Sequence, residues 1–196
     1  MSTGSELVQP DEQLGTGQIY DSNSFALCAA ARDAGAIAYR VGAVADDAET
    51  LRATIEDQLI RADLVVTTGG VSVGAYDVVK EALSSVGDED EAGSGIEFRK
   101  LAMQPGKPQG FGSIGPDHTP LLALPGNPVS SYVSFELFVR PAIRTLMGVD
   151  DIHRSMTRAT LRTDKALTSP AGRRQFLRGR YADGEVTPGS AAPDPT

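Results

Sequence analysis

The residues with the most chemical potential lie in one short stretch, Thr67 to Lys80. The sequence predicts an apolar strand over 63–67, then a glycine turn, then a helix over 76–85 that Gly87 closes. The spacing matches neither a P-loop nor a dinucleotide-binding fingerprint. On glycine count alone, a tight turn without any ligand is an equally good interpretation.

The polar groups of this turn favour an anionic ligand. Gly69, Gly70 and Gly74 permit positive φ and close approach of a ligand to the backbone, and the following helix offers free N–H groups. Ser72 adds a hydroxyl donor, and Asp77 adds a carboxylate in the first helical turn. Together they predict a site for a phosphorylated ligand with a cation.

A second carboxylate follows a neighbouring predicted strand. Residues 36–44 form an apolar run, and Asp46 follows it, just before a helix predicted over 48–61. Helix capping explains an acidic residue there without any function. The carboxyl ends of parallel strands nevertheless share one edge, where ligands bind in such sheets. We therefore expect Asp46 at the same edge as the glycine turn.

Lysines bracket the next turn. Lys100 lies in the second half of a strand predicted over 96–103, and Lys107 follows the bend at Pro105–Gly106. On an acidic chain they form a candidate anion clamp, although solvated surface lysines are the alternative interpretation.

Another glycine junction follows a short strand over 120–124. Residues 125–130 read Pro-Gly-Asn-Pro-Val-Ser and lead into a helix over 129–147, in which Pro141 predicts a kink or break.

The alternation of strands and helices predicts an α/β fold, a three-layer sandwich around a mostly parallel sheet. We expect a ligand-binding domain over 1–149, the start of an incomplete β domain over 150–186, and a disordered tail over 187–196.

Composition narrows the classes of partner. The 196 residues carry a net charge of -8 with a single cysteine, Cys28. Nonspecific binding to nucleic acid or to a membrane surface is disfavoured. No stretch resembles a membrane span or a signal peptide, and no internal disulfide can form, so a cytoplasmic location is expected.

The motifs together resemble one family. They are STGSEL at 2–7, GQIYDSN at 17–23, Asp46–Asp47, TTGGVSVGAYD at 67–77, KLAMQPGKP at 100–108 and LPGNPVSSYVSFELFVRPAI at 124–143. In this order they resemble the molybdopterin molybdenumtransferases, the MoeA proteins and the gephyrin E domain, in their molybdopterin-binding (MogA-like) domain. Adenylyltransferase relatives share the fold, but their turn usually reads TGGTG.

The resemblance implies a set of site residues. Asp46, Asp77, Lys100, Lys107 and Glu6 would be catalytic, with Asp46 and Asp77 also holding Mg²⁺. The positions expected to bind the pterin ligand are Thr3, Gly4, Gly69, Gly70, Ser72, Gly74, Pro125, Gly126, Asn127, Pro128 and Ser130. Three departures from the family pattern are Gln104, Ala75 and Ser5.

The resemblance also implies a reaction: insertion of molybdate into the dithiolene of adenylylated molybdopterin (molybdopterin-AMP), with release of AMP. The alternatives are a molybdopterin adenylyltransferase and a non-catalytic molybdopterin-binding or scaffold module. The implied partners are further copies of the chain and a chain supplying the family's N-terminal domains.

Overall fold

The fold is seen in a computed structural model that describes residues 1–45, 47–71, 82 and 95–189. Its strands are β1 (Ser2–Thr3), β2 (Leu7–Val8), β3 (Ile19–Tyr20), β4 (Ala43–Val44), β5 (Val65–Thr68), β6 (Gly95–Lys100), β7 (Met103–Gln104), β8 (Pro108–Ile114), β9 (Thr119–Leu124), β10 (Thr160–Leu161), β11 (Arg174–Gln175), β12 (Gly179–Ala182) and β13 (Glu185–Pro188). Its α-helices are α1 (Asn23–Asp33), α2 (Ala48–Leu59), α3 (Pro128–Ser134) and α4 (Arg140–Leu146).

A six-stranded sheet organises the chain, in the order β4-β1-β5-β9-β8-β6. The first four strands are parallel to their neighbours, whereas β8 is antiparallel to β9 and to β6. The mostly parallel α/β sheet is therefore confirmed. The parallel strands β1, β5 and β9 end side by side and define one edge for ligands.

Helices cover both faces of this sheet because side chains alternate along each strand. Leu51 and Ile55 of α2 pack with Val65 and Leu121 on one face. On the other face, Leu27 of α1 packs with residues that include Leu124, Phe135, Val139 and Ile143. These two apolar clusters make the three-layer arrangement.

The helix after β9 changes its winding at Phe135–Val139, a π-helical segment between α3 and α4. Pro141 stands in the first turn of α4. Proline lacks an N–H and its ring crowds the carbonyl four residues earlier, and a π turn re-routes the hydrogen bonds there. The interruption expected from Pro141 is thus present.

The strand predicted over 36–44 is wrong for most of its length, since only β4 pairs within the sheet. Gly42 has φ 93°, which no regular strand tolerates. The carbonyl of Ala38 accepts instead from Arg32 Nη2, at 3.0 Å. Side chains thus satisfy backbone groups that a strand ladder would have used.

The stretch 149–189 differs from the six-stranded sheet and its helices in burial. Its strands β10, β13 and β12 form a three-stranded sheet, and none of these residues is buried. β13 extends to Pro188, two residues into the predicted tail, whose positions 190–196 lie outside the described residues.

None of the helices described is long and apolar enough to span a membrane.

Candidate ligand site at the strand ends

Three turns converge where β1, β5 and β9 end. They are Thr3–Gly4, Gly69–Gly70 and Pro125–Asn127, which we call the strand-end site. Gly69 N donates to Leu124 O at 3.1 Å. A Cβ on Gly69 would lie 2.3 Å from Thr3 O, and one on Gly126 would lie 3.3 Å from the Gly69 Cα. Glycine is thus required sterically at Gly69, where φ is 95°.

A polar network lies directly beneath these turns. The Thr68 hydroxyl donates to Pro125 O at 3.1 Å and accepts from Asn23 Nδ2 at 3.0 Å and Ser131 Oγ at 3.2 Å. Asn23 Nδ2 also donates to Gly126 O at 2.7 Å. We call these groups the Thr68 network.

Sequence reasoning did not assign a role to Thr68, Asn23 or Ser131, although all three lie within the quoted motifs. The only available signal was a polar residue ending an apolar strand. Its partners are distant in sequence, because Asn23 is separated by 45 residues from Thr68 and by 103 from Gly126.

Asn127 has a capping role. Its Oδ1 accepts from Val129 N at 3.0 Å and from Ser130 N at 3.2 Å, which is an N-cap for α3. Pro128 follows in the first turn, where its missing N–H costs nothing. The cap fixes the path of the Pro125–Asn127 turn, and Gly126, Asn127 and Pro128 are solvent-exposed.

The lysines lie on the same edge of the sheet. β6 runs parallel to β9 because both are antiparallel to β8, so Lys100 at its end and Lys107 just before β8 flank this edge. Strands lie about 4.8 Å apart, so β6 is roughly 10 Å from β9. Both lysines are exposed, and neither forms an ion pair with any described residue.

The loop from Lys100 to Lys107, here called the lysine loop, is held at several points. Leu101 N donates to Lys107 O at 2.7 Å. The buried Gln109 amide donates to Gly106 O at 2.7 Å and to Ser134 Oγ at 2.5 Å. The loop thus rests on α3.

The C-terminal part of the chain also contacts the lysine loop. β11 pairs with β7 in parallel, with Arg174 N donating to Ala102 O at 2.9 Å and Phe176 N to Gln104 O at 2.8 Å. The lysine loop is therefore held both by the Gln109 side chain and by the backbone of β11.

Glu6 is the predicted catalytic acid that the structure describes. Its side chain is exposed and folds over the adjacent turn, since a Cβ on Gly4 would lie 2.6 Å from Glu6 Oε2. Asp46, Ser72, Gly74 and Asp77 lie outside the described residues. Within the described ranges, no group of three or more His, Cys, Asp and Glu side chains could hold a metal ion.

A buried carboxylate that sequence reasoning missed is Asp21, which is 1% exposed. Its Oδ1 accepts from Ser2 Oγ at 2.7 Å and from Ser24 N at 3.1 Å. Its Oδ2 accepts from Ser24 Oγ at 2.5 Å. Asp21 thus fastens the first turn of α1 to β1, beside the strand-end site.

A groove of about 620 Å³ runs along β5 and beneath α1 and α4. Its lining is largely apolar and includes Leu27, Leu64, Val66 and Ile143. Cys28 also lines it, half-buried, with its thiol 3.6 Å from Ala38 O. None of the predicted ligand residues lines this groove, but Thr68, beneath the strand-end site, does.

Comparison with known proteins gives a consistent result. The family model described as "Probable molybdopterin binding domain" matches residues 1–145. Molybdopterin molybdenumtransferase 2 of Mycobacterium tuberculosis (strain CDC 1551 / Oshkosh) is 49% identical over 178 residues, covering 91% of this chain and 43% of that protein. Molybdopterin molybdenumtransferase 1 of the same organism is 44% identical over 180 residues, covering 92% of this chain and 40% of that protein.

Solved structures agree with the sequence relatives. A crystal structure of a molybdopterin biosynthesis MoeA protein from Pyrococcus horikoshii has a TM-score of 0.76 and 32% identity, covering 95% of this chain and 43% of that one. The chain thus spans less than half the length of these three proteins.

Proposed function

We propose a function from the family to which this chain belongs, the molybdopterin molybdenumtransferases. Its strand-end site binds adenylylated molybdopterin and contributes to molybdate insertion with release of AMP. The observation that carries the proposal is the convergence of three turns at the ends of β1, β5 and β9, with Lys100 and Lys107 on the same edge.

The shape of the edge suits such a ligand. It must hold a pterin at one end and an adenylate at the other, joined by a pyrophosphate. The glycine turns allow close approach of the ligand to the backbone, and Lys107 and Lys100 lie one and two strands away from β9. A ligand that extends from a pterin to an adenylate can therefore contact the glycine turns and the lysines at once.

The charges along this edge also suit an anionic ligand. The chain has a net charge of -8, so an anionic ligand depends on local cations. Lys100 and Lys107 are exposed and unneutralised by any acid in the described ranges. We place molybdate and the developing charge of the cleaved adenylate next to these ammonium groups.

Magnesium is the proposed cofactor, held by Asp46 and Asp77. Carboxylate oxygens are the donors that Mg²⁺ prefers, and the exposed Glu6 carboxylate at the neighbouring turn adds to the acidic character. The cation, when bound, would neutralise charge on the pyrophosphate. Glu6 and the lysines would orient the ligand ends.

A second candidate is a module that binds molybdopterin without turnover. The observation favouring it is that the chain covers 43% of its mycobacterial relative, which leaves room for further parts of such a protein to supply turnover. In either case we propose a cytoplasmic protein that forms homo-oligomers and associates with a chain supplying the family's N-terminal domains.

The deciding experiment measures binding of molybdopterin-AMP and release of AMP in one sample, with Mg²⁺ and with or without molybdate. Molybdate-dependent release supports the transferase, and binding without release supports the module. ATP-dependent adenylylation that needs no molybdate would instead indicate an adenylyltransferase.

A charge-matched pair of variants tests the lysines. The double variant Lys100→Ala and Lys107→Ala is expected to weaken binding by about a hundredfold or more, because each of the two lost charge-assisted contacts contributes about 1.5–3 kcal/mol. The double variant Arg158→Ala and Lys165→Ala removes the same charge at two exposed positions in the stretch 149–189, and as the control it should leave affinity unchanged. Equal affinities for both variants would remove the lysines from the site.

A further inference from the structure

We propose that Thr68 and Asn23 are positioning residues that lock the two turns Gly69–Gly70 and Pro125–Asn127 at one spacing, and so set the affinity of the ligand site. This inference rests on the proposed function for its ligand. Neither side chain needs to touch the ligand for it to hold.

The Thr68 hydroxyl has no spare hydrogen-bonding capacity. A hydroxyl offers one donor and two acceptor positions. All of these are used, by Pro125 O, Asn23 Nδ2 and Ser131 Oγ, and the residue is only 2% exposed. Such a saturated buried group specifies one arrangement of its neighbours.

The network joins three separate elements. Thr68 ends β5 and leads directly into the Gly69–Gly70 turn. Asn23 opens α1, and its amide nitrogen bridges Thr68 to Gly126 O. Ser131 adds the first turns of α3. A shift of the Gly69–Gly70 turn or of the Pro125–Asn127 turn would therefore break hydrogen bonds that hold both turns.

The spacing of the turns leaves little tolerance. A Cβ on Gly126 would lie 3.3 Å from the Gly69 Cα, so the two backbones are already in contact. Buried polar groups that lose their partners carry a full desolvation cost. Small displacements of the turns therefore cost much free energy, because they break these buried hydrogen bonds.

The preceding residue provides a built-in contrast. Thr67 is 0% exposed, but its Oγ1 has no hydrogen-bond partner among the described residues. It points to the opposite face of β5, toward α2. A hydroxyl in β5 is therefore not required for packing, and only the one on the site-facing side is fully engaged.

The test compares Thr68→Val with Thr67→Val, two isosteric changes at adjacent buried positions. We expect Thr68→Val to weaken binding of molybdopterin-AMP by about tenfold, since it leaves Asn23 and Ser131 donors without their acceptor. Thr67→Val should bind like the wild type, because it removes an unpaired hydroxyl.

Thr68→Ser separates positioning from stability. It keeps the hydroxyl but deletes a buried methyl group, so it should unfold more readily and yet bind like the wild type. Asn23→Ala, at a half-buried position, should reproduce the binding loss with little effect on folding. Equal affinity of Thr68→Val and wild type, or equal losses in Thr67→Val and Thr68→Val, would overturn the inference.

Amide hydrogen exchange in the ligand-free protein gives an independent readout. Thr68→Val should speed exchange at both glycine turns together, whereas Thr67→Val should not. Faster exchange at one turn alone, or at neither, refutes the coupling. A wild-type protein that binds no ligand refutes the proposed function, while the exchange data still decide the positioning role.

Discussion

The strand-end region and the three-stranded sheet of residues 160–188 use similar residue types in opposite ways. In the first, polar side chains such as Thr68 and Asp21 are buried and fully hydrogen-bonded. In the second, no residue is buried, and contacts such as Arg162 with Glu185 lie at the surface. One region contains buried side-chain hydrogen bonds, whereas the other is held by strand pairing and exposed side-chain contacts.

The two regions should therefore differ in how strongly a substitution affects stability and binding. A buried polar network or a close backbone contact tolerates almost no substitution, whereas an exposed hairpin tolerates most. Paired substitutions, one in each region, measure this difference directly.

The largest difference is expected for aromatic truncation. Phe135→Ala removes a ring that is 1% exposed in the cluster between the sheet and α1, and should reduce the free energy of unfolding by about 3–5 kcal/mol. Tyr181→Ala, at 55% exposure in β12, should change it by less than about 0.5 kcal/mol. Urea denaturation followed by circular dichroism measures both. A comparable loss in Tyr181→Ala would show that the outer sheet is also tightly packed.

A glycine pair comes next. Gly69→Ala places a Cβ 2.3 Å from a backbone oxygen at φ 95°, so one of the converging turns must move. We expect a loss of about 3 kcal/mol in stability together with loss of ligand binding. Gly184→Ala also has positive φ, at 81°, but nothing lies within 4 Å of its Cβ. It should cost only about 1 kcal/mol, the conformational term alone.

The regular elements of the first region were largely predictable from sequence. The helix predicted over 48–61 corresponds to α2 (Ala48–Leu59), because apolar periodicity and caps are local signals. The placement of the glycine turns at one edge followed from parallel connections. Local chemistry and topology were enough for these features.

Other features were not predictable, for physical reasons. The strand expected over 36–44 failed over most of its length, and there the carbonyl of Ala38 accepts from the side chains of Cys28 and Arg32 in α1 instead of from a neighbouring strand. The Thr68 network depends on pairs such as Ser131 with Thr68, which are 63 residues apart. A single sequence does not reveal which of several threonines acquires such partners, and Thr67 beside it acquires none.

A smaller effect is expected at the lysine loop. Gln109→Met keeps the buried volume but removes the donor to Gly106 O and Ser134 Oγ. Stability should fall by about 1–3 kcal/mol, as for other stranded buried groups, and ligand affinity should fall with it because the lysines lose their support. Gln175→Met, in half-buried β11, is the matched control and should have little effect. A Gln109→Met variant with unchanged affinity would show that the loop holds its shape without this anchor.

The smallest effect concerns a helix cap and depends on pH. Hydrogen bonds from the Thr50 side chain and, second, from Thr50 N at 3.0 Å hold the pKa of Asp47 below its usual value of 3.8 at the start of α2. A depressed folded-state pKa stabilises the protein above pH 3.8, and the contribution is lost as pH falls through the folded value. Asp47→Asn keeps a capping oxygen but no charge, so it should be slightly less stable than the wild type at neutral pH, and this difference should disappear as pH falls through the folded-state pKa of Asp47. Thr163 in the outer region also accepts a backbone N–H, from Lys165 at 3.2 Å, but a hydroxyl does not titrate. Thr163→Val should therefore differ from the wild type by a constant amount across the same range, and a pH-dependent difference there would remove the distinction between the two regions.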